Sequence, residues 1–174
     1  MTIRKTFIAA ALTAATLATG AAADGHSQTI VDIAAGDDRF STLVAAVTAA
    51  DLVDTLSGPG PFTVYAPVNA AFAALPDGTV ETLLMPQNKG DLTNVLLYHV
   101  DDRKLAAADF PAGSTYFQPV LASERLCITA GDGVTIADGT GQMANVVIAD
   151  IMASNGVIHV IDKVLLPGTR PACH

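Results

Sequence analysis

Two rhythms of hydrophobic spacing divide the chain. In the first half, apolar positions recur at helical intervals. Phe40, Leu43, Val44 and Val47 stand at i, i+3, i+4 and i+7, which places them on one face of a helix that the pattern carries to about Leu56. Asp37 or Asp38 is placed to cap it, because a short side-chain oxygen can satisfy a free amide of the first turn. A brief helix over Thr29–Ala35 precedes it. Gly58-Pro59-Gly60-Pro61 breaks the pattern, Phe62–Ala66 reads as a buried strand, and Pro67 ends that strand. Asn69 then stands where it would cap a short helix over Ala70–Leu75. Further helices are expected over Thr79–Leu84, with Glu81 in the first turn, and over Asp91–Tyr98, with Leu92, Val95 and Leu96 on one face.

From about Gly113 the period becomes two. Leu126 with Ile128, Val134 with Ile136, and Val146 with Ile148 alternate with less apolar neighbours, and Gly-Asp or Asp-Gly pairs separate them. Asn155-Gly156 predicts a type I′ hairpin, whose two central residues need positive φ. The hairpin leads into Val157–Leu166, apolar on both faces and therefore expected at the centre of a sheet. Helices first and strands later give an α+β domain, with helices packed on a largely antiparallel sheet system.

The first 23 residues carry a different signal. Arg4 and Lys5 precede an uncharged, Ala-rich run from Phe7 to Thr19, and Ala21-Ala22-Ala23 offers a peptidase cleavage site. Residues 1–23 are therefore expected to be a signal peptide. The competing reading, a membrane anchor, needs roughly 20 apolar residues, more than this run supplies. The remaining expected boundaries are a short polar leader at 24–28, one domain at 29–167 and a tail at 168–174. The product is expected to be exported, periplasmic or at the cell surface.

Composition narrows the partners. The 174 residues are 51% hydrophobic and only 5% aromatic, with a formal net charge of −8 that becomes −10 once Arg4 and Lys5 are removed. An acidic chain with dispersed basic residues repels phosphate backbones and anionic membrane surfaces, so nucleic acid is not an expected partner. Cys127 and Cys173 are the two cysteines. In an oxidising compartment a lone pair of thiols tends to pair; the alternative is a buried free thiol at Cys127 and a tail thiol at Cys173.

Three segments carry a resemblance. Gly60-Pro61-Phe62-Thr63-Val64-Tyr65-Ala66-Pro67-Val68-Asn69-Ala70-Ala71-Phe72 resembles the first signature of fasciclin domains. Leu97-Tyr98-His99-Val100 resembles their Tyr-His element, and Ser154-Asn155-Gly156-Val157-Ile158-His159-Val160-Ile161-Asp162 their second signature. The resemblance runs from about Thr29 to Pro167. It implies a wedge of two largely antiparallel β-sheets with a cluster of helices at one side, and a role in adhesion or extracellular protein binding. In animal matrix proteins of this family, the Tyr-His element and an Asp-Ile pair before the second signature are associated with integrin binding. Tyr98, His99, Asp150, Ile151 and Met152 are the corresponding candidate partner-binding residues. Ile148-Ala149 stand where the closest animal motif has Glu-Pro, and Val68 stands where the family usually has Thr. The competing reading packs Ile151 inward and makes Asp150 a cap or acceptor for an adjacent turn. Some fasciclin relatives bind lipids or carotenoids, so carriage of an apolar ligand is the alternative function.

Catalytic signatures do not emerge. Gly-x-Ser-x-Gly, His-Glu-x-x-His and a phosphate-cradling glycine loop are absent from the sequence, so neither an enzyme nor a cofactor is expected. His159, among Val157, Ile158, Val160 and Ile161, reads as a core histidine bonded to backbone or a carboxylate. His99, at a helix end, can donate to free carbonyls. A two-histidine metal site completed by Asp101 or Asp162 lacks any short-range ligand pair. One metal site does follow from chemistry. Cleavage after Ala23 would leave Asp24-Gly25-His26, whose α-amine, two amides and imidazole can supply the square-planar nitrogen set that Cu(II) favours.

Overall fold

The computed structural model of the protein describes residues 28–169 and Cys173; the expected signal peptide and the Asp24-Gly25-His26 site lie outside them. The helices are α1 (Ile30–Ala35), α2 (Ser41–Ala49), α3 (Val53–Ser57), α4 (Asn69–Ala73), α5 (Thr79–Leu84) and α6 (Lys89–Tyr98). The strands are β1 (Phe62–Pro67), β2 (Val100–Asp101), β3 (Gly113–Phe117), β4 (Leu126–Ala130), β5 (Val134–Ala137), β6 (Met143–Ala153) and β7 (Gly156–Ile161).

Strand pairing runs β2-β1-β7-β6-β5-β4-β3. Rather than two separate sheets, the strands form one hydrogen-bonded series that curls at β6. That strand pairs with β5 through Met143–Asn145 and with β7 through Val146–Ala153. Its register slips twice, between Val146 and Ile148 and again between Ile148 and Ile151. Each extra residue in a bulge bends its strand and sharpens the twist, so β6 can serve both halves. The series is antiparallel except for β1 and β7, which run parallel from Phe62↔Gly156 to Pro67↔Ile161.

Alternation in β1 and β7 feeds two cores. Val64, Ala66, Ile158 and Val160 face the helices and join Ile30, Phe40, Leu43 and Leu96. Tyr65 and Ile161 face the other way and join Tyr98, Phe110, Phe117, Ile128 and Ile136. Every residue of β7 is buried, as its two-sided apolar pattern predicts. Each large aliphatic side chain buried this way contributes about 1.5–3 kcal/mol.

Three local expectations are corrected. The long helix expected to Leu56 is divided, because Asp51 takes a left-handed φ of 57° between α2 and α3. Asn69 does not cap its own helix: the N-cap of α4 is Val68, which makes no side-chain cap bond. Instead, the carboxamide oxygen of Asn69 accepts from Thr42 N at 3.1 Å, and its Nδ2 donates to the Asp38 carbonyl and to Ser41 Oγ. It caps α2 from outside.

The hairpin after β6 is also shifted. Ala153 pairs with Gly156, so the two turn residues are Ser154 and Asn155, and neither has a positive φ. Asn155 Oδ1 accepts from Ile30 N at 3.0 Å, and its Nδ2 donates to the carbonyls of Leu56 and Gly58. One carboxamide thereby ties the start of α1 and the end of α3 to the hairpin. Gly156 belongs to the strand, where a Cβ would lie 2.0 Å from the Phe62 carbonyl oxygen. Close approach of β1 is what calls for glycine here.

A disulfide ties β4 to Cys173: its other half is Cys127, with Cα atoms 5.4 Å apart. The Asp138 carboxylate, fully buried, accepts from Thr140 N, Thr140 Oγ1, Gln142 N and Leu166 N. It closes the β5–β6 turn and fastens the segment that leads to the tail.

Candidate functional site

The bulged part of β6 is the most unusual surface among the described residues. Val147 and Ile148 are exposed there, at 55% and 39%. The solvent-exposed run continues through Ala149 and Asp150, after which Ile151 turns back against the helical core. Asp150 takes φ 59°, a left-handed conformation that costs a non-glycine residue about 1 kcal/mol or more and persists only when neighbours enforce it.

Two neighbours do so. The Asp150 amide donates to His159 Nδ1 on β7, at 3.3 Å. The Asp150 carboxylate accepts from Ala107 N, at 2.7 Å, in the 3-10 turn Ala107–Asp109. His159 Nε2 lies 2.7 Å from the Leu105 carbonyl oxygen, which can only accept, so Nε2 carries the proton and Nδ1 is the bare acceptor. The imidazole thus links β7, β6 and the segment after β2. Tyr65 stacks on it at 5.9 Å between centroids, and Phe110 leans on it at 5.6 Å. Burial pushes the His159 ring below the ordinary histidine value, partly offset by the bond to Leu105 and by Asp150.

Asp150, Ile151 and Met152 sit together on this segment, with Asp150 exposed and the other two half-buried. Tyr98 and His99 lie in the interior, away from solvent. The Tyr98 hydroxyl donates to the Arg125 carbonyl at 2.7 Å. His99 Nε2 accepts from Leu165 N at 2.8 Å, so Nδ1 carries the proton and donates to the Val95 carbonyl at 2.7 Å. Complete burial pushes His99 down to about 4. All four ring nitrogens of His99 and His159 are thus engaged with backbone groups. Among the described residues no cluster of three or more His, Cys, Asp or Glu side chains is arranged to hold a metal ion.

Sequence reasoning did not find Asp138 or Thr63. The Asp-Gly-Thr-Gly turn signals an Asx-type bond at Asp138, but not its bond to Leu166. Thr63, fully buried, donates to the Arg103 carbonyl and accepts from Leu105 N, fixing the approach to the Ala107 turn. Two apolar cavities lie inside the helical half. One, of about 40 Å³, is lined by Ile30, Phe40, Val47, Leu56 and Ile158 among others. The second, of about 20 Å³, lies among Phe72, Val80, Leu84, Leu92 and Val95.

A helical cluster against a curled mixed sheet places the domain in a known class. The family model of the fasciclin domain matches residues 38–167. Protein sll1483 of Synechocystis sp. is 53% identical over 146 residues, covering 84% of this chain and 77% of that protein. Transforming growth factor-beta-induced protein ig-h3 of Sus scrofa is 40% identical over 139 residues, covering 80% of this chain and 19% of that longer protein. Among solved structures, a FAS1 domain pair from the insect cell adhesion molecule fasciclin I superposes with a TM-score of 0.70 at 20% identity. The match covers 81% of this chain and about half, 51%, of that one. The chain belongs to the fasciclin-domain family.

Proposed function

We propose that the protein is an exported, non-enzymatic binding module that engages an extracellular or cell-surface protein through the bulged segment of β6. The observation that carries this reading is the pairing of exposure with rigidity. Val147 and Ile148 present apolar side chains to solvent, while Asp150 beside them is held in a costly conformation by His159 and Ala107. Preorganised apolar contacts of this kind favour binding because little ordering remains to be done. The insect relative is a cell adhesion molecule, which fits the same reading. Export is supported by the N-terminal charge and alanine pattern and by the Cys127–Cys173 disulfide.

Within this segment, Val147 and Ile148 supply the apolar contact and Asp150 its polar end, while Ile151 packs against the helical core and the buried Tyr98 and His99 support the fold. Carriage of a carotenoid or lipid is less well supported. Ligand sites usually offer about 300 Å³ or more; the apolar cavities reach only about 40 and 20 Å³, and a cavity of about 300 Å³ beside Thr42, Asn69, Asp77 and Glu81 has a polar lining unsuited to a carotenoid or lipid. The test is crosslinking capture of surface proteins with the wild type and with Val147→Asp and Ile148→Asp. One specific protein should be captured by the wild type and lost from both variants at unchanged Tm. Capture that survives both substitutions overturns the assignment of this surface.

A further inference from the structure

His159 is bonded in a way that makes the shape of the β6 bulge depend on its proton count. The neutral ring has one bare nitrogen, Nδ1, and that nitrogen accepts the Asp150 amide. Adding a proton there places a hydrogen against the amide hydrogen, and the bond cannot survive. Asp150 then keeps its left-handed backbone by the carboxylate bond to Ala107 alone.

We propose that His159 is a proton-sensitive positioning residue, holding the Asp150 bulge in its binding shape while neutral and releasing it when protonated. This inference rests on the reading of that segment as the binding surface. It makes partner engagement a property of neutral surroundings and release a property of acidic ones.

The surroundings of the ring favour this behaviour. On its own strand the neighbours are the apolar Val157, Ile158, Val160 and Ile161. From β1 it meets the Tyr65 phenol, which burial keeps un-ionised, with the Asp101–Arg103 ion pair acting on that phenol. From the segment after β2 it meets Phe110 and the Leu105 carbonyl, while the nearby Asp109 carboxylate is engaged with Ala106 N. From β6 it meets Asp150, the charged group acting on the ring, whose Oδ1 is engaged with Ala107 N. An imidazolium formed here gains one attraction, to Asp150, and loses the hydrogen bond that fixes that residue's backbone.

His99 supplies an internal reference. It is bonded to Val95 and Leu165, so its protonation is reported at Leu165, a residue of the segment after β7.

The experiment is an NMR titration of the purified 15N-labelled protein from pH about 7.5 to about 3. The Asp150 and Ala107 amide signals should move with the midpoint of the His159 ring, and Leu165 with that of His99. Hydrogen-exchange protection of the Asp150 amide should fall about tenfold below the His159 midpoint, the loss expected for one hydrogen bond. In His159→Asn, the side-chain oxygen keeps an acceptor near the Nδ1 position and takes no proton, so the Asp150 signal should become flat. Should that variant fail to fold, the wild-type titration decides alone. An Asp150 amide whose shift and protection ignore the His159 midpoint overturns the proposal. The titration needs no partner, so its failure is distinguishable from failure of the binding assignment, which the Val147 and Ile148 variants read at neutral pH. With a captured partner in hand, wild-type binding should weaken as the pH falls through the His159 midpoint read in the titration, about tenfold one unit below it, while His159→Asn binding stays level. Equal weakening in both proteins overturns the regulatory role.

Discussion

The amide of Leu165 donates to Nε2 of His99 across 2.8 Å, so the last segment before the tail is latched to the end of α6 by a neutral imidazole. Protonation breaks this latch. At neutral pH and above, the group contributes its full stabilisation, because His99 is neutral in both the folded and the unfolded chain. Between its ordinary value of 6.5 and its folded value of about 4, the unfolded chain takes up a proton that the buried ring refuses. Stability is therefore lost as pH falls through that window, by roughly 3 kcal/mol from this group. His159 acts in the same direction. Urea unfolding midpoints measured from pH about 7.5 to about 4 check this; a flat profile contradicts it.

Asn155 should be among the costliest polar residues to remove. Asn155→Ala deletes the bond to Ile30 N and both donations to Leu56 and Gly58, leaving buried backbone groups unmatched. The expected loss is about 3 kcal/mol, read by chemical denaturation. Gly156→Ala should be worse, since its Cβ overlaps the Phe62 carbonyl and would force β1 from β7. Wild-type stability for either variant would refute the clamp.

The Cys127–Cys173 disulfide should contribute about 4 kcal/mol in the chain-entropy picture of a loop this long. Cys173→Ser is expected to lower Tm and leave Cys127 slow to react with thiol reagents, because Cys127 is 1% exposed on β4. Melting with and without reductant, together with thiol labelling rates, measures both effects. An unchanged Tm would show that the tail is held by other contacts.

Copper binding at Asp24-Gly25-His26 is expected if the mature chain begins at Asp24. Sequencing the N-terminus and titrating with Cu(II) should give a one-to-one complex with the visible absorption of a four-nitrogen site. Loss of the band in His26→Ala is the expected control. A band that persists in that variant, or a mature chain beginning at another residue, removes the site.

Much of the framework is legible because it depends on local rhythm. The two-sided apolar run of β7 announced its central position, and Leu92, Val95 and Leu96 announced the buried face of α6. What escaped depends on distant partners. Asn69 has the chemistry of a cap, but the helix it caps begins at Ser41. Asn155 is legible as a turn residue, but the ties of its side chain to α1 and α3 are not. The β6 bulges are hidden because Val146 and Ile148 alternate as a regular strand would, and the left-handed position is filled by Asp150 instead of a glycine. Tyr98 and His99 were legible as a motif, but their burial depends on packing against Arg125 and Leu165, which spacing alone does not reveal.

The parallel pairing of β1 with β7 also sets an order of events. β1 lies near the start of the domain and β7 near its end, yet they are neighbours, and Ile158 and Val160 complete the core that the helices need. Until the last strand arrives, α1, α2 and α6 have only one another and Val64, Ala66 and Val100 of β1 and β2 to close against, and the fold rests on contacts of long sequence separation, which form slowly. A chain emerging N-terminus first thus cannot complete this core before β7 emerges. On the proposed export route that delay is useful: the core that would jam a narrow channel is not completed until β7 has left it.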